Sequence, residues 1–387
     1  MFRKTFPILV VLLTVLLPSS AAVAQPPFTN TTIVNGNLTP IANGAALLAA
    51  VAAATPPALI KVEPGTYDLN GGQLVMQDLV DVEGSGRDVT FVISDVSSSP
   101  TNAAVTVPSG VTAELRGLTV RNTASSPGTG VRIESDTFLL TGINVETEIT
   151  GGATGVETVN CSTVIDDVFV RIGGTGPNAG FRLNGGSPIL KSSFAFVITP
   201  SWRNVGLEVL GNADTQIDRL FALVGAGGDD YGGLIWGNAK VQLRNTRLTA
   251  IASDVAINPY AFGLFSTGNT DIDIKESTFT SMSDTRSVAL LLTGNARVKV
   301  SGSTFIAKPF STPHIEVRAT QLLFSANLDS NQSNFESTAE AVTNSGAGTA
   351  RFGASQLVGS VSGSSPTSLQ CIFSYNGSYT ARAANCL

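Results

Sequence analysis

Charge is scarce in this sequence. Only 13% of its 387 residues are Asp, Glu, Lys or Arg, about half the roughly 25% of an ordinary soluble protein. The net charge of −6 excludes a basic nucleic-acid footprint. One histidine leaves no all-histidine metal site, and three cysteines are too few for a disulfide scaffold. No metal and no cofactor is therefore expected. Disorder is disfavoured as well, because a disordered chain needs low hydrophobicity and high charge, whereas 43% of these residues are hydrophobic. What is abundant is glycine, at 39 residues.

The N-terminus reads as an export signal. Arg3 and Lys4 precede an apolar run from Ile8 to Leu17, and Ala22-Val23-Ala24 offers a small-x-small cleavage site before Gln25. A membrane anchor would need about 20 apolar residues, and no other segment is long enough to span a bilayer. Cleavage after Ala24 removes two basic residues and no acids, taking the net charge from −6 to −8. The expected product is a secreted or periplasmic, monomeric chain with no lipid anchor. Export permits disulfides. Cys371 and Cys386 flank a Gly/Ser/Asn-containing tail and are the natural pair, worth about 3 kcal/mol for a loop of that size. Cys161, in an apolar repeat, is expected to be a buried free thiol.

The strongest signal is internal repetition. Small residues that open short apolar runs recur at Gly130, Gly155, Gly180, Gly206, Gly232, Gly263 and Ala289, spaced 25, 25, 26, 26, 31 and 26. A second column, Leu118, Ile143, Val168, Phe194 and Leu220, keeps phase with it. So does a third: Val120, Val145, Val170, Phe196, Ala222, Leu248, Phe279 and Phe305. Ala341 follows Ala289 by 52 residues, two more repeats. Within a repeat the apolar period is two, as in Val298, Val300, Ser303 and Phe305, which indicates half-buried strands. No helical apolar stripe appears, so leucine-rich and ankyrin-type repeats are disfavoured. Short strands joined by turns and stacked in parallel make a parallel β-helix.

Turn and charge columns follow the same period. Gly211-Asn212, Gly237-Asn238, Gly268-Asn269 and Gly294-Asn295 recur at one place. Asparagine tolerates left-handed backbone angles, and stacked amides can bond along the axis. A structural ladder explains them better than a row of ligand-binding amides. Asp214, Lys240, Asp271 and Arg297 alternate in sign down one outward column. Asp273 faces Lys299, and Asp218 faces Arg244, as expected of cross-strand pairs.

The opening of the repeat region, Leu59-Ile60-Lys61-Val62-Glu63-Pro64-Gly65-Thr66-Tyr67, is followed by Val82-Glu83-Gly84-Ser85-Gly86 and Val89-Thr90-Phe91-Val92-Ile93. This run resembles the first coils of pectinesterase-like and NosD-like proteins of the pectin-lyase-like, right-handed parallel β-helix superfamily. The closing segment, from Gln356 through Cys371, Tyr375 and Tyr379 to Cys386, is similar to the tail of uncharacterised bacterial β-helix proteins. The resemblance implies an all-β, single-stranded right-handed solenoid of about eleven coils, near 50 Å long at about 4.8 Å per coil. The Ala/Leu-rich Ala45 to Ala54 would form a short capping helix. The expected spans are 1–24 signal peptide, 25–58 N-terminal cap, 59–357 β-helix and 358–387 disulfide-bearing tail.

The resemblance fixes no chemistry. Polygalacturonases of this fold carry an Asn-Thr-Asp motif, an Asp-Asp pair, a His-Gly pair and an Arg-Ile-Lys run. Here Gly228-Asp229-Asp230 matches the second motif alone. Asn269-Thr270-Asp271 comes after it instead of before, Ile251-Ala252-Ser253 carries no histidine, and Arg-Ile-Lys is missing. Asp166-Asp167 and Asp214-Asp218 are too diluted for the acidic calcium cluster of a pectate lyase. His314 reads as an ordinary loop residue. One cluster stands out: aligning repeats by the small-residue column puts Arg203, Asp229, Tyr260 and Arg286 at one position. Trp202, Asp230 and Tyr231 adjoin it, and the longest repeat, with its insertion from Ser253 to Tyr260, widens the same edge. Aromatics beside Asp and Arg can stack on sugar faces and bond hydroxyls, which makes these seven residues a candidate carbohydrate groove. The plainer reading is a loop salt bridge between Arg203 and Asp229 with packed aromatics. The leading expectation is non-catalytic binding of a polysaccharide or cell-surface partner. A polysaccharide lyase or glycoside hydrolase is the alternative, and a purely structural spacer the third.

Overall fold

Alternating apolar residues give each repeat three short strands, one on each of three sheets, and every strand pairs in parallel with its counterpart one turn on. A computed structural model describes residues 27–97, 102–125, 127–149, 151–252, 259–309, 316–363, 369–378 and 380–386. The expected signal segment 1–24, His314, Tyr379 and residues 253–258 of the insertion lie outside the described residues. The first sheet includes Gly128–Ile133, Ala153–Val159, Asn178–Asn184, Arg203–Leu210, Asp229–Gly237, Tyr260–Gly268, Arg286–Leu292 and Glu316–Leu322. The second includes Asp214–Asp218, Lys240–Arg244, Asp271–Lys275 and Arg297–Ser301, and the third Phe221–Gly225, Arg247–Ala252, Thr278–Ser283 and Thr304–Lys308. Twelve strands stack in the first sheet, so the solenoid has about twelve turns, one more than the spacing suggested.

The stack runs past both ends of the 59–357 span. Asn30–Val34 already pairs with Ala58–Val62, and Phe352 pairs with Cys371 in the closing strands. Cys371 and Cys386 are disulfide-bonded, and Cys161 is a buried free thiol. Among the described residues one helix, Pro40–Ala53, lies across the N-terminal end. Thr39 caps it by accepting from the Ala42 N–H at 3.4 Å. Leu47 and Val51 turn into the core. Gly44 crosses the strand Gly65–Asp68 so closely that a Cβ would fall 1.9 Å from the Asp68 carbonyl oxygen. No helix among the described residues is long and apolar enough to cross a membrane.

Two polar ladders hold the turns. On the surface, Asn238 donates to Asn212, Asn269 to Asn238 and Asn295 to Asn269, at 3.1, 3.1 and 2.9 Å. The preceding glycines, not the asparagines, take the left-handed angles: φ is 67°, 92°, 96° and 70° at Gly211, Gly237, Gly268 and Gly294. The second ladder is buried at the corner between the second and third sheets. Ser277, Ser303, Ser333 and Ser355 each donate to the carbonyl two residues back. Each of the last three also accepts the backbone N–H of the serine one turn before it.

That inner ladder corrects two inward positions. The sequence period puts Phe194 and Phe196 in the apolar columns of Val168 and Val170. The actual register pairs Val170 with Ala195, and the Val168 N–H donates to Ser193 Oγ at 3.2 Å. Both phenylalanines therefore point outward, where Phe194 stacks between Phe169 and Phe221 at centroid distances of 5.2 and 4.7 Å. A hydrophobicity scan prefers Phe to Ser inside; the corner backbone needs the hydroxyl. The true inner aromatic stack is Phe279, Phe305 and Phe335, at 5.0 and 4.9 Å.

The charged columns of the second sheet are in register, with Asp214, Lys240, Asp271 and Arg297 in one row. Their side chains do not pair, however. Asp273 meets Lys275 on its own strand at 2.9 Å, and Asp218 meets Arg219 at 3.3 Å. On an exposed face a cross-strand pair gains about 0–1 kcal/mol, too little to order two long side chains. Replacing Ser303 with Ala should strand the buried Ser277 N–H and cost about 2 kcal/mol. Urea unfolding would measure it, and a loss near zero would remove the inner ladder's stabilising role.

Candidate functional site

The first sheet presents the site. Cross-strand register puts Arg203, Asp229, Tyr260, Arg286 and Glu316 in one row. Two residues along, Tyr231 stands beside Phe262, their rings 5.1 Å apart and nearly parallel. Tyr231, Tyr260, Phe262, Phe265, Val288 and Leu291 form an apolar cluster separate from the solenoid core. It lies on the outer surface of the sheet because the paired small residues Gly232 and Gly233 shift the alternation: Tyr231 and Leu234 both face away from the core residue Ile235. A guanidinium stands at each end of this aromatic patch. Arg203 lies 6.0 Å from the Tyr231 ring centre, and Arg286 lies 5.9 and 5.6 Å from those of Tyr260 and Phe262.

An ion-pair ladder continues the surface on both sides. Towards the N-terminus, Arg132 pairs with Glu157 at 2.6 Å, and Arg182 with Glu208 at 2.7 Å. Glu208, almost fully buried, also takes Arg203 at 2.5 Å. Towards the C-terminus, Arg286 Nε lies 2.9 Å from Glu316 Oε2, an ion contact whose N–H is not aimed at the oxygen, while its Nη2 donates to Gln321 at 2.8 Å. Arg318 joins Glu316 and Glu340 at 3.6 and 2.6 Å. A cavity of about 470 Å³ opens over the N-terminal part, lined by Pro127, Thr129, Arg132, Glu157, Pro177 and Arg182 among others. Residues 132, 157, 182 and 208 were not singled out from sequence. Their signal was available: Arg, Glu, Arg, Glu at spacings of 25, 25 and 26.

The seven candidates divide. Arg203, Asp229, Tyr231, Tyr260 and Arg286 share the outer face. Trp202 is 62% exposed at its edge, and its carbonyl accepts the Asp229 N–H at 2.9 Å. The anticipated bridge between Arg203 and Asp229 does not form, because Arg203 is taken by Glu208. Asp229 is thus left half-buried, and burial raises its pKa above the usual carboxylate value despite the nearby Arg203 charge.

Asp230 points the other way and is fully buried. It ends an internal amide ladder in which Asn178 donates to Asn204, and Asn204 to Asp230, both at 3.0 Å. Its second oxygen accepts the Gly227 N–H at 3.0 Å, holding the turn that leads into Asp229. Burial pushes the Asp230 carboxyl up to about 7. It is a positioning residue, not a ligand contact. No group of three or more His, Cys, Asp or Glu among the described residues is placed to hold a metal.

The raised Asp230 value has a consequence for stability. A folded pKa near 7 lies above the unfolded value of about 4. The folded chain then binds more protons than the unfolded one between those limits, so this contribution is complete below pH 4 and fades as pH rises through 7. Asp230→Asn should flatten that slope while losing about 1 kcal/mol at acid pH, because one donor loses its acceptor. Denaturation midpoints at pH 4.5 and 7.5 would check it, and an unchanged difference between the two would contradict it.

No family model matches the sequence, and no curated protein matches it. Solved structures do. The chain is similar to the catalytic domain of a GH87 alpha-1,3-glucanase in complex with nigerose (TM-score 0.53, 11% identity), covering 82% of this chain and 61% of that one. It therefore spans less than two thirds of that domain. It is also similar to the Dettilon tailspike protein (TM-score 0.51, 13% identity, 87% and 70% of the two chains). A DFA-IIIase from Arthrobacter chlorophenolicus A6 gives TM-score 0.51 at 14% identity, over 81% and 82%. Together with the three stacked parallel sheets, these likenesses make the fold a right-handed parallel β-helix of the pectin-lyase-like type.

Proposed function

We propose that the protein cleaves a polysaccharide laid on the outer face of the first sheet, with Asp229 as proton donor to the departing glycosidic oxygen. One observation carries the reading. Every glutamate on that face is held by an arginine, whereas Asp229, among the described residues, has no Arg or Lys nitrogen within 4.0 Å. Burial raises the pKa of this half-buried carboxyl, which shifts it in the direction that general acid catalysis demands. Tyr231, Tyr260 and the exposed Trp202 supply surfaces for sugar rings, and Arg203 and Arg286 supply fixed donors. The alpha-1,3-glucanase domain shares this scaffold, so the fold is compatible with glycan cleavage. Both hydrolysis and β-elimination need a proton on the leaving oxygen. The disulfide and the signal-like N-terminus support action outside the cytoplasm.

Binding without turnover, the expectation from sequence, is the second reading. It is favoured by the same ion pairs: the two-carboxylate mechanism wants a second free carboxylate about 5–9.5 Å away, and the neighbouring glutamates are engaged. Incubation of the purified chain with a polysaccharide panel, with products separated by mass, distinguishes the two. Asp229→Asn should lower turnover about 10²–10⁴-fold while leaving glycan retention in place. Equal turnover by Asp229→Asn and the parent would remove Asp229 as the acid; retention with no product from either would favour binding alone.

A further inference from the structure

Five arginines and no lysine occupy the described strands of the first sheet: Arg132, Arg182, Arg203, Arg286 and Arg318. Each lies within 4 Å of at least one glutamate. The glutamates are also five: Glu134, Glu157, Glu208, Glu316 and Glu340. The ladder is therefore neutral, and Asp229 can only make the face more negative. The internal segments outside the described residues contain no lysine or arginine that could alter the balance, and residues 253–258 add Asp254. Cations without a carboxylate in reach do exist, among them Lys240, Arg297 and Lys299, but they stand on the second sheet.

We propose that the glycan recognised by this surface is neutral, not a polyuronate or a sulfated chain. The inference rests on the reading of this face as a glycan-cleaving site. A carboxylate approaching any of these arginines would displace or be repelled by the glutamate already there, and its lost hydration would go uncompensated. Sugar hydroxyls face no such penalty. Each can accept from a guanidinium and donate to a carboxylate, and alternating Arg and Glu offer both in a row. The apolar faces of neutral sugar rings suit the exposed indoles of Trp202 and Trp236, which are 62% and 49% exposed. Trp236 lies on the strand Asp229–Gly237 that bears Asp229 itself.

This choice of substrate also selects the reaction. β-Elimination removes a proton made acidic by a carboxylate on the sugar, and a neutral sugar has none. Cleavage would then be hydrolytic: the C–O bond breaks, the leaving oxygen gains a proton from Asp229, and water gives its hydroxyl to the anomeric carbon. The remaining proton of water restores the Asp229 carboxyl through solvent. No oxidant or reductant is involved.

Affinity electrophoresis of the full chain tests the proposal, in gels cast with neutral glucan, xylan or mannan and in gels cast with polygalacturonate or alginate. Retention is expected in a neutral gel, changing less than about twofold between low and high salt, because no net ionic contact is made. Glu316→Gln, which frees part of the charge on Arg286 and Arg318 at a half-exposed position, should gain salt-sensitive retention in the polyuronate gels. Parent-chain retention confined to polyuronate gels, lost about tenfold or more at high salt, would overturn the neutral assignment while leaving the face as a glycan site. Neutral retention with no product from the parent chain would instead overturn the catalytic reading alone, and turnover unchanged by Asp229→Asn would overturn only the role of Asp229. No retention in any gel would overturn both.

Discussion

Parallel stacking at about 4.8 Å per turn is the constraint on which the rest of this molecule depends. Every residue lies directly against its counterpart one turn before and one turn after. Each position must therefore be compatible with a copy of its own environment above and below. Apolar positions meet this by becoming continuous columns, and the Phe279–Phe305–Phe335 stack is the plainest case. Polar positions inside must bond along the axis or remain unsatisfied, and the serine and asparagine ladders are the solution. The charged positions on the first sheet meet the same demand by alternating sign. The N-terminal helix satisfies the constraint at one end, where there is no earlier turn to pair with.

The site grows out of that geometry. A row of outward residues on a parallel sheet is a straight surface, and the order of residues down the row is the order of turns in the chain. Arginine and glutamate alternate until the turn that carries Asp229. There the pattern breaks: Glu208 turns to Arg203 on its own strand, its row continues with Leu234 and Phe265, and the row of Arg203 continues with Asp229 and Tyr260. Asp229 is left half-desolvated, with no arginine or lysine nitrogen within 4.0 Å among the described residues. Asp230, its neighbour, faces inward and fixes the turn from below, so one Asp-Asp pair contains a surface group and a structural one.

The fold was largely legible in the sequence because stacking writes its period into every column. The small-residue column from Gly130 to Ala289, the Gly-Asn corners and the disulfide pair needed no side-chain geometry to be read. Most of the candidate row was legible for the same reason: Arg203, Asp229, Tyr260 and Arg286 align by counting alone. What could not be counted was direction and pairing. Ser193 displaced Phe194 from the interior because hydrogen bonding at the corner outweighs one residue's hydrophobicity. Asp230 turned inward because adjacent strand residues face opposite ways. The charges of the Asp214–Lys240–Asp271–Arg297 column line up without pairing, whereas the Arg132–Glu157–Arg182–Glu208 ladder pairs; the first group is exposed and the second partly buried, and that difference decides between them.

The most direct test is a structure of the Asp229→Asn chain with a bound oligosaccharide from the polymer it retains. The account predicts a glycan on the outer face of the first sheet, sugar rings against Trp202 or the Tyr231–Tyr260 patch, and a glycosidic oxygen within hydrogen-bond reach of residue 229. A ligand seated on the second or third sheet, or one on the first sheet with no glycosidic oxygen near residue 229, would contradict it.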